Sequence, residues 1–550
     1  MSENISDRRA EILRRADKER SALLAVLDDA ATVQEKLLLS IVRRNAESQF
    51  GRDHRFASVR SIADFQQAVP IRVHEEFEPW LEATIAGKSH VLSDEDPFVY
   101  FSSSGTTGRE KRIPVTASYL RESFLPFYFV GLATILEQCP DALHDDNSVL
   151  NLWQDPYSPT DRTADGTPHI GLSQFDYRGL GEDLAVGLGN RAAWSRLPDS
   201  FDGVDPLQRT YLRLRIAAEY DIRCVFAINP AVAHALPTQL ALWWPRIVRD
   251  LRDGTLDGRP FTAPNKARAD QIENLANWFG TVRPKDIWPR LNGVVVWSNY
   301  IGGMYLQALG QDYGPGVRII PAPIGSSEGP LAAPIDRHPS ASPLMTTAAF
   351  YEFIPADEKI TSASRTLLAN EVVPGRDYHV VLTRVGGIHR CATRDIVRVV
   401  EFVGGTPRIE YGGRQGELAA GGARLREDQA VRAMHKTAAA SGMQVENLTW
   451  RLDDGSDTPR HEVAVAFRHD ETPRDVARFE RLLDTFLSAE SPSYAAARRI
   501  DAIGPARVHP APVTAFFSAW LERVRAGQRP PRVKDRVFDP KSSVWSELLV

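Results

Sequence analysis

Between residues 7 and 48 apolar side chains return every three or four positions among charges: Ile12, Leu13, Leu23, Leu24, Val26 and Leu27, then Leu37, Leu38, Leu39, Ile41 and Val42. That period keeps one side of a helix apolar and predicts a helical lead-in. Phe50-Gly51-Arg52 interrupts it, and Ser61 opens a short capped helix ahead of Val69-Pro70-Ile71. Short apolar runs bounded by turn residues then predict strands at 97–101, 148–153, 224–228, 293–297, 317–321, 350–354, 379–383 and 396–403. Helical stretches such as 237–252 and 270–279 lie between them, an alternation that predicts an α/β protein with substantial sheet. From about residue 412 the texture changes to a glycine-rich turn, a helix at 427–441, strands at 448–452 and 461–467, and helices at 473–488 and 513–526. This reads as a separate, compact α+β unit.

The 550 residues are 43% hydrophobic and 25% charged, which places the chain among ordinary globular proteins. Acidic residues number 71 against 66 basic ones, so the net charge of -5 offers no field for a polyanion and nucleic acid is not an expected partner. Cys139, Cys224 and Cys391 have none of the spacing of a disulfide framework or a zinc site, which fits a reducing, cytoplasmic location. No stretch is long and apolar enough for a membrane span, and the charged first twenty residues do not read as an export signal.

The apolar run at 97–101 feeds Ser102-Ser103-Ser104-Gly105-Thr106-Thr107-Gly108-Arg109-Glu110-Lys111. Consecutive hydroxyls, glycines that let backbone amides approach an anion, and a basic residue at the exit suit a triphosphate. The Gly-x4-Gly-Lys spacing of a P-loop is absent. Further along stand Gly325-Ser326-Ser327-Glu328-Gly329, Tyr351-Glu352-Phe353-Ile354-Pro355 and Arg390-Cys391-Ala392-Thr393-Arg394-Asp395. With Phe50-Gly51-Arg52-Asp53-His54, Val69-Pro70-Ile71-Arg72, Leu291-Asn292-Gly293 and Trp297, these motifs run in order along nearly the whole chain. On them the sequence resembles the auxin-responsive Gretchen Hagen family of acyl acid amido synthetases, a branch of the adenylate-forming superfamily that also holds acyl-CoA synthetases and luciferases.

The resemblance implies a large N-terminal α/β adenylate-forming domain, residues 1–411 with the helical lead-in inside 1–48, and a smaller, mobile α+β C-terminal lid domain, residues 412–550. It implies an enzyme that joins a small carboxylic acid to ATP with magnesium, giving an acyl adenylate and pyrophosphate, and then passes the acyl group to an amino acid or another amine. Ser103, Ser104, Gly105, Thr106, Thr107 and Lys111 would form the phosphate loop; Ser326 and Ser327 would lie near the nucleotide, with Glu328 as candidate magnesium ligand. The motif at Glu352 reads as mainly structural, with a subsidiary part in the site. Asp395 would accept the ribose hydroxyls, a task suited to a carboxylate that takes two donors. Arg414, in the hinge segment Gly412-Gly413-Arg414-Gln415-Gly416-Glu417, is a candidate ATP contact.

Two departures from the family pattern are visible. Before Asp395 the usual form is Arg-Tyr-Arg-hydrophobic-Gly, and here both the aromatic residue and the glycine are missing, with Arg394 at the glycine position. Adenylation in the superfamily uses a small-domain lysine; past residue 400 there are only Lys436, Lys534 and Lys541. Lys534 in the tail is the candidate catalytic cation, with Arg529 as an alternative and Arg424 replacing a lysine in an upstream turn. The acyl pocket is expected around Phe127, Trp297, Tyr300, Pro323 and Ile324. The nucleophile is open in the sequence: an amine, or the thiol of coenzyme A or a carrier protein. A nucleotide-binding protein with reduced or lost catalysis is the third reading. The oligomeric state is not legible.

Overall fold

The computed structural model describes residues 5–103, 111–153, 161–171, 189, 191–526, 528, 533 and 535–548. The helical lead-in forms as two helices, Ile5–Leu24 and Ala30–Arg44, parted by a tight turn at Leu27–Asp29. The break has a partner far down the chain. The Leu27 carbonyl accepts from the Gly405 amide at 2.9 Å and the Thr406 hydroxyl at 2.8 Å, so the turn meets a distant hairpin instead of continuing a helical ladder. Ser61 caps the helix Ile62–Ala68 by accepting the Asp64 amide, as its sequence predicts.

Four parallel strands form one sheet, in the order Arg318–Pro321, Gly293–Val296, Cys224–Ile228 and Val149–Asn151. Both faces are covered, which is why these segments read as unbroken apolar runs. Val225, Val294 and Val296 enter a core with Leu240 and Trp288, whereas Cys224, Phe226, Val295 and Ile320 pack toward Phe129 and Leu132 of the helix Leu125–Gln138.

A second, mostly antiparallel sheet is built around the long strand Ile388–Val403, between Asp377–Arg384 and Thr406–Arg414, with Phe350–Pro355 beyond. The short strand Arg72–Val73 pairs in parallel with Cys391 and Ala392. The long strand begins earlier than its apolar pattern predicts, and Thr406–Arg414 has no sequence counterpart, because Pro407 and the pair Gly412-Gly413 read as strand breakers. In both cases cross-strand pairing overrides the local signal.

Val445–Asp453, Arg460–Phe467 and Arg507–Pro510 form a third sheet with the helices Glu427–Ser441 and Val476–Glu490, around a core of its own that includes Trp450, Val463, Phe479 and Leu483. The architecture is a large mixed α/β N-terminal domain followed by a smaller α+β domain. Among the described residues no helix is long and apolar enough to cross a membrane.

Candidate active site

Val99–Ser103 and Lys111–Val115 are the arms of an antiparallel hairpin, with Ser103 directly opposite Lys111. Ser104, Gly105, Thr106 and Thr107 lie outside the described residues. Lys111 leaves the returning strand to place its ammonium 2.7 Å from Glu328 Oε1. The motif carrying Glu328 is the turn between Ile324–Gly325 and Pro330–Ala332, closed by the Ser326 amide donating to the Gly329 carbonyl at 3.0 Å. The Ser327 hydroxyl donates to Glu328 Oε2 at 3.0 Å. Glu328 is only 2% exposed. Burial alone would raise its pKa, but the charge and hydrogen bond of Lys111 prevail and hold it below the ordinary glutamate value, so it stands as a carboxylate.

Two residues that no motif singled out surround this pair. Arg384 is fully buried, and it donates to the carbonyls of Glu328 at 2.5 Å, Pro114 at 2.9 Å and Val385 at 2.9 Å, with its guanidinium 3.7 Å from the centre of the Tyr119 ring. It ties the Glu328 turn to the strand that carries Lys111. His74, buried just after Arg72–Val73, pairs its Nε2 with the Arg112 carbonyl at 3.1 Å. Burial lowers its pKa, while the charge of Glu328 acts to raise it. A histidine behind Val69-Pro70-Ile71-Arg72 was a visible signal; a lone arginine at 384 was none.

Asp395 is buried beside a distortion of its strand. Thr393, Arg394 and Asp395 stand opposite the single residue Val380, and Arg394 takes a left-handed φ of 64°. The Tyr411 hydroxyl donates to Asp395 Oδ1 at 3.4 Å, and Arg414 Nε lies 3.6 Å from the same oxygen. Burial opposes the Arg414 charge, but Asp395 more than compensates and its pKa lies above the usual arginine value. Arg414 stands directly opposite Asp395 in the pairing of the two strands.

Of the residues expected at the acyl pocket, Trp297 and Pro323 follow the carboxyl ends of two parallel strands, the side of an α/β sheet where ligands enter. Trp297 Nε1 donates to the Pro323 carbonyl at 3.3 Å. Phe127 lies against Gly325, where an added Cβ would come within 3.3 Å of its ring. Ile324 turns into the central core. Tyr300 goes elsewhere: it packs on Tyr411 with ring centres 5.8 Å apart, has its pKa raised by burial and by the charge of Glu427, and rests on Gly413. A Cβ at Gly413 would approach that ring to 2.8 Å, and the φ of 122° there suits glycine alone.

Glu352 is spent on structure. It holds Arg390 through bonds of 2.9 and 2.8 Å, while Arg390 also donates to the Gln66 and Val69 carbonyls. Cys391 is buried, and burial raises its thiol pKa. In the C-terminal domain Lys436 is paired with Glu490 and Arg424 with Glu417, and Lys534 and Arg529 lie outside the described residues.

A nucleotide and its magnesium fit this donor set. Magnesium is held by one or two carboxylates together with phosphate oxygens, and an ionised, buried Glu328 beside a lysine would supply such a carboxylate. Among the described residues no group of three or more His, Cys, Asp or Glu forms a cage made by protein alone. The carboxylate of Asp395 is of a kind that can accept two hydroxyl donors at once.

The fold and three matched domains together define an adenylate-forming enzyme. The GH3 family N-terminal domain matches residues 20–319, its central domain residues 342–414 and its C-terminal domain residues 428–535. The chain belongs to the GH3 family. It is 25% identical over 522 residues to a jasmonoyl–L-amino acid synthetase of Oryza sativa subsp. japonica, covering 87% of each chain. It is 23% identical over 432 residues to an indole-3-acetic acid-amido synthetase of Arabidopsis thaliana, covering 70% of this chain and 71% of that one. An acyl acid amido synthetase solved in complex with 2,4-DB superposes with a TM-score of 0.78 at 18% identity, covering 96% of this chain and 95% of the other.

Proposed function

We propose that the protein activates a carboxylic acid with ATP and transfers the acyl group to the amine of an amino acid. The observation that carries this reading is the pairing of Lys111 with the buried Glu328 at the exit of the hydroxyl-rich loop. In the first step a carboxylate oxygen of the acid attacks the α-phosphorus, and pyrophosphate leaves. In the second the amine nitrogen attacks the acyl carbon, AMP departs with the bonding pair, and the nitrogen loses a proton. Lys111 would balance phosphate charge, a fixed cation being worth most in a site that excludes water. Glu328 would hold magnesium, which neutralises charge on the departing pyrophosphate when bound. Asp395 would fix the ribose, with Tyr411 and Arg414 orienting its carboxylate.

The apolar residues at the strand ends, Trp297, Pro323 and the neighbouring Phe127, would take the body of the acid. Residues 1–411 would form the adenylating unit and 412–550 the lid, with Lys534 as the tail cation and Gly412-Gly413 as the point of rotation between half-reactions. The amine is favoured over a thiol because the relatives named above are a jasmonoyl–L-amino acid synthetase and an indole-3-acetic acid-amido synthetase. The test is ATP-dependent pyrophosphate release over a panel of acids, with amino acids or coenzyme A as acceptor and the product identified by mass. An amide product establishes the reading; a thioester alone, or no release with any acid, rejects it.

A further inference from the structure

Two arginines four residues apart on the long strand Ile388–Val403 both adopt left-handed backbone, Arg390 at φ 49° and Arg394 at φ 64°. For a residue with a Cβ that conformation is strained, and it persists where something in the surroundings holds it. For Arg390 the compensation is plain, since its guanidinium is buried on the Glu352 carboxylate and two carbonyls. Arg394 differs. Its side chain is 35% exposed, and its ion pair is with Glu75 Oε2 at 3.4 Å, a carboxylate that is itself 43% exposed. A solvated pair of that length contributes little.

Its position is specific. The bulge that strains Arg394 also sets Asp395, and bulges re-aim side chains beside sites. Glu75 follows His74, whose ring bonds the Arg112 carbonyl next to Lys111, and Arg394 precedes Asp395, so the Arg394–Glu75 pair joins the segment beside the ribose-side carboxylate to the segment beside the phosphate-side pair. A planar, always-charged fork held weakly by a water-exposed glutamate can exchange that partner for a better one. The matching ligand is a carboxylate.

We propose that Arg394 is a specificity residue that binds a free carboxylate on the substrate, other than the one being activated. The inference rests on the ligase reading for what that substrate is. Two sources supply such a group: the α-carboxylate of an amino acid acceptor, which amide formation leaves free, or the second carboxylate of a dicarboxylic acid.

The experiment uses the full chain, wild type, Arg394→Gly and Arg394→Lys, with circular dichroism as the check of folding; glycine suits the backbone at φ 64° and keeps the variant foldable. Binding is measured by calorimetry on protein saturated with a non-hydrolysable ATP analogue, for leucine against leucinamide and for adipate against hexanoate. Pyrophosphate release is followed in parallel. Wild type should bind the carboxylate-bearing member of one pair about tenfold to a hundredfold more tightly. Arg394→Gly should erase that ratio and Arg394→Lys retain part of it; which pair responds identifies the source.

The proposal is overturned if wild type shows no ratio in either pair, if the ratio survives Arg394→Gly, or if that variant instead weakens binding of the ATP analogue. A ratio that stands and vanishes in Arg394→Gly, with no pyrophosphate released by wild type over the acid panel, would reject the ligase reading and leave the carboxylate site in place. Normal amide synthesis with an unchanged ratio would reject the site alone.

Discussion

The Lys111 ammonium and the Glu328 carboxylate meet at 2.7 Å across 217 residues of sequence. Each arrives by an independent route, Lys111 at the start of a returning hairpin strand and Glu328 in the turn between two short strands. Arg384 fixes their relative placement by binding the carbonyls of both segments, Pro114 and Glu328. The pair therefore belongs to a braced structure, and its charges are prepared before any substrate arrives.

The brace and the charges are separable by pH. Glu328 has a pKa held below the usual value by Lys111 against the pull of burial, so the stabilisation from this pair is present above the unfolded glutamate pKa and is lost as pH falls through the folded one. Lys111→Met should cost about 3–5 kcal/mol at pH 7, because it leaves a buried carboxylate unpaired. The difference from wild type should shrink below roughly pH 4, because burial without the Lys111 charge lets the native Glu328 carboxyl of the variant take up a proton. Urea denaturation at the two pH values tests this; an equal gap at both would mean that Glu328 is not ionised in the native protein.

Glu328→Gln keeps the shape and the Ser327 contact but removes the charge that would hold magnesium. Pyrophosphate release should fall by about a hundredfold to a thousandfold. The magnesium concentration for half-maximal rate should rise. A variant with wild-type magnesium dependence would remove Glu328 from the role of ligand.

Arg390 and Glu352 share a different task, and a double-mutant cycle distinguishes it. Either Arg390→Met or Glu352→Gln alone should destabilise by about 3–5 kcal/mol, since each leaves a buried polar partner behind. The double variant should cost far less than the sum. Additive losses would show that the two side chains do not act as a unit.

These relationships mark how far the sequence could be read. Glu427–Ser441 and Cys224–Ile228 form where hydrophobic periodicity places them, because each is a local segment with one burial pattern. Thr406–Arg414 is hidden, since its proline and glycines read as breakers and its strand character comes from pairing with a partner that curves back. At the site, Lys111, Glu328 and Asp395 are visible as motif residues. Their contacts with Arg384 and Tyr411 join distant segments and leave no periodic trace. Arg394 is visible as a departure from a glycine, but the left-handed backbone that gives the departure its meaning appears only once the bulge opposite Val380 is formed.

Asp395→Ala tests the nucleotide side. Removing this carboxylate should weaken ATP binding by about tenfold or more, the loss expected when charged hydrogen bonds to two hydroxyls disappear. The pKa of Arg414, raised by Asp395, should fall toward its ordinary value without approaching neutrality, so the effect should not depend on pH between 6 and about 9. Titration calorimetry with ATP and with 2′,3′-dideoxy-ATP separates the roles: wild type should prefer ATP, and the variant should bind both equally. A preference that survives the substitution would place the ribose elsewhere.

Three buried histidines set a limit on the acid side that involves none of the candidate catalytic groups. Burial lowers His379 and His461 to about 4 and His389 to about 3. In each ring Nδ1 is buried without a partner among the described residues, so protonation would create a donor with nothing to receive it. The unfolded chain binds these protons at about pH 6.5, the native protein only well below that, and so the stability they protect is complete above about pH 6.5 and declines as pH falls toward 4. His389 lies within a ring cluster, 4.9 Å from Phe50 and 5.2 Å from Phe56, where phenylalanine can replace it. His389→Phe should therefore lose less stability than wild type between pH 6.5 and 4, with the slope reduced by about 1.4 kcal/mol per pH unit, the contribution of one proton. Urea midpoints across that range measure the slope directly. An unchanged slope would mean that His389 is protonated in the native core, and that the missing Nδ1 partner is supplied by a group the imidazole can donate to.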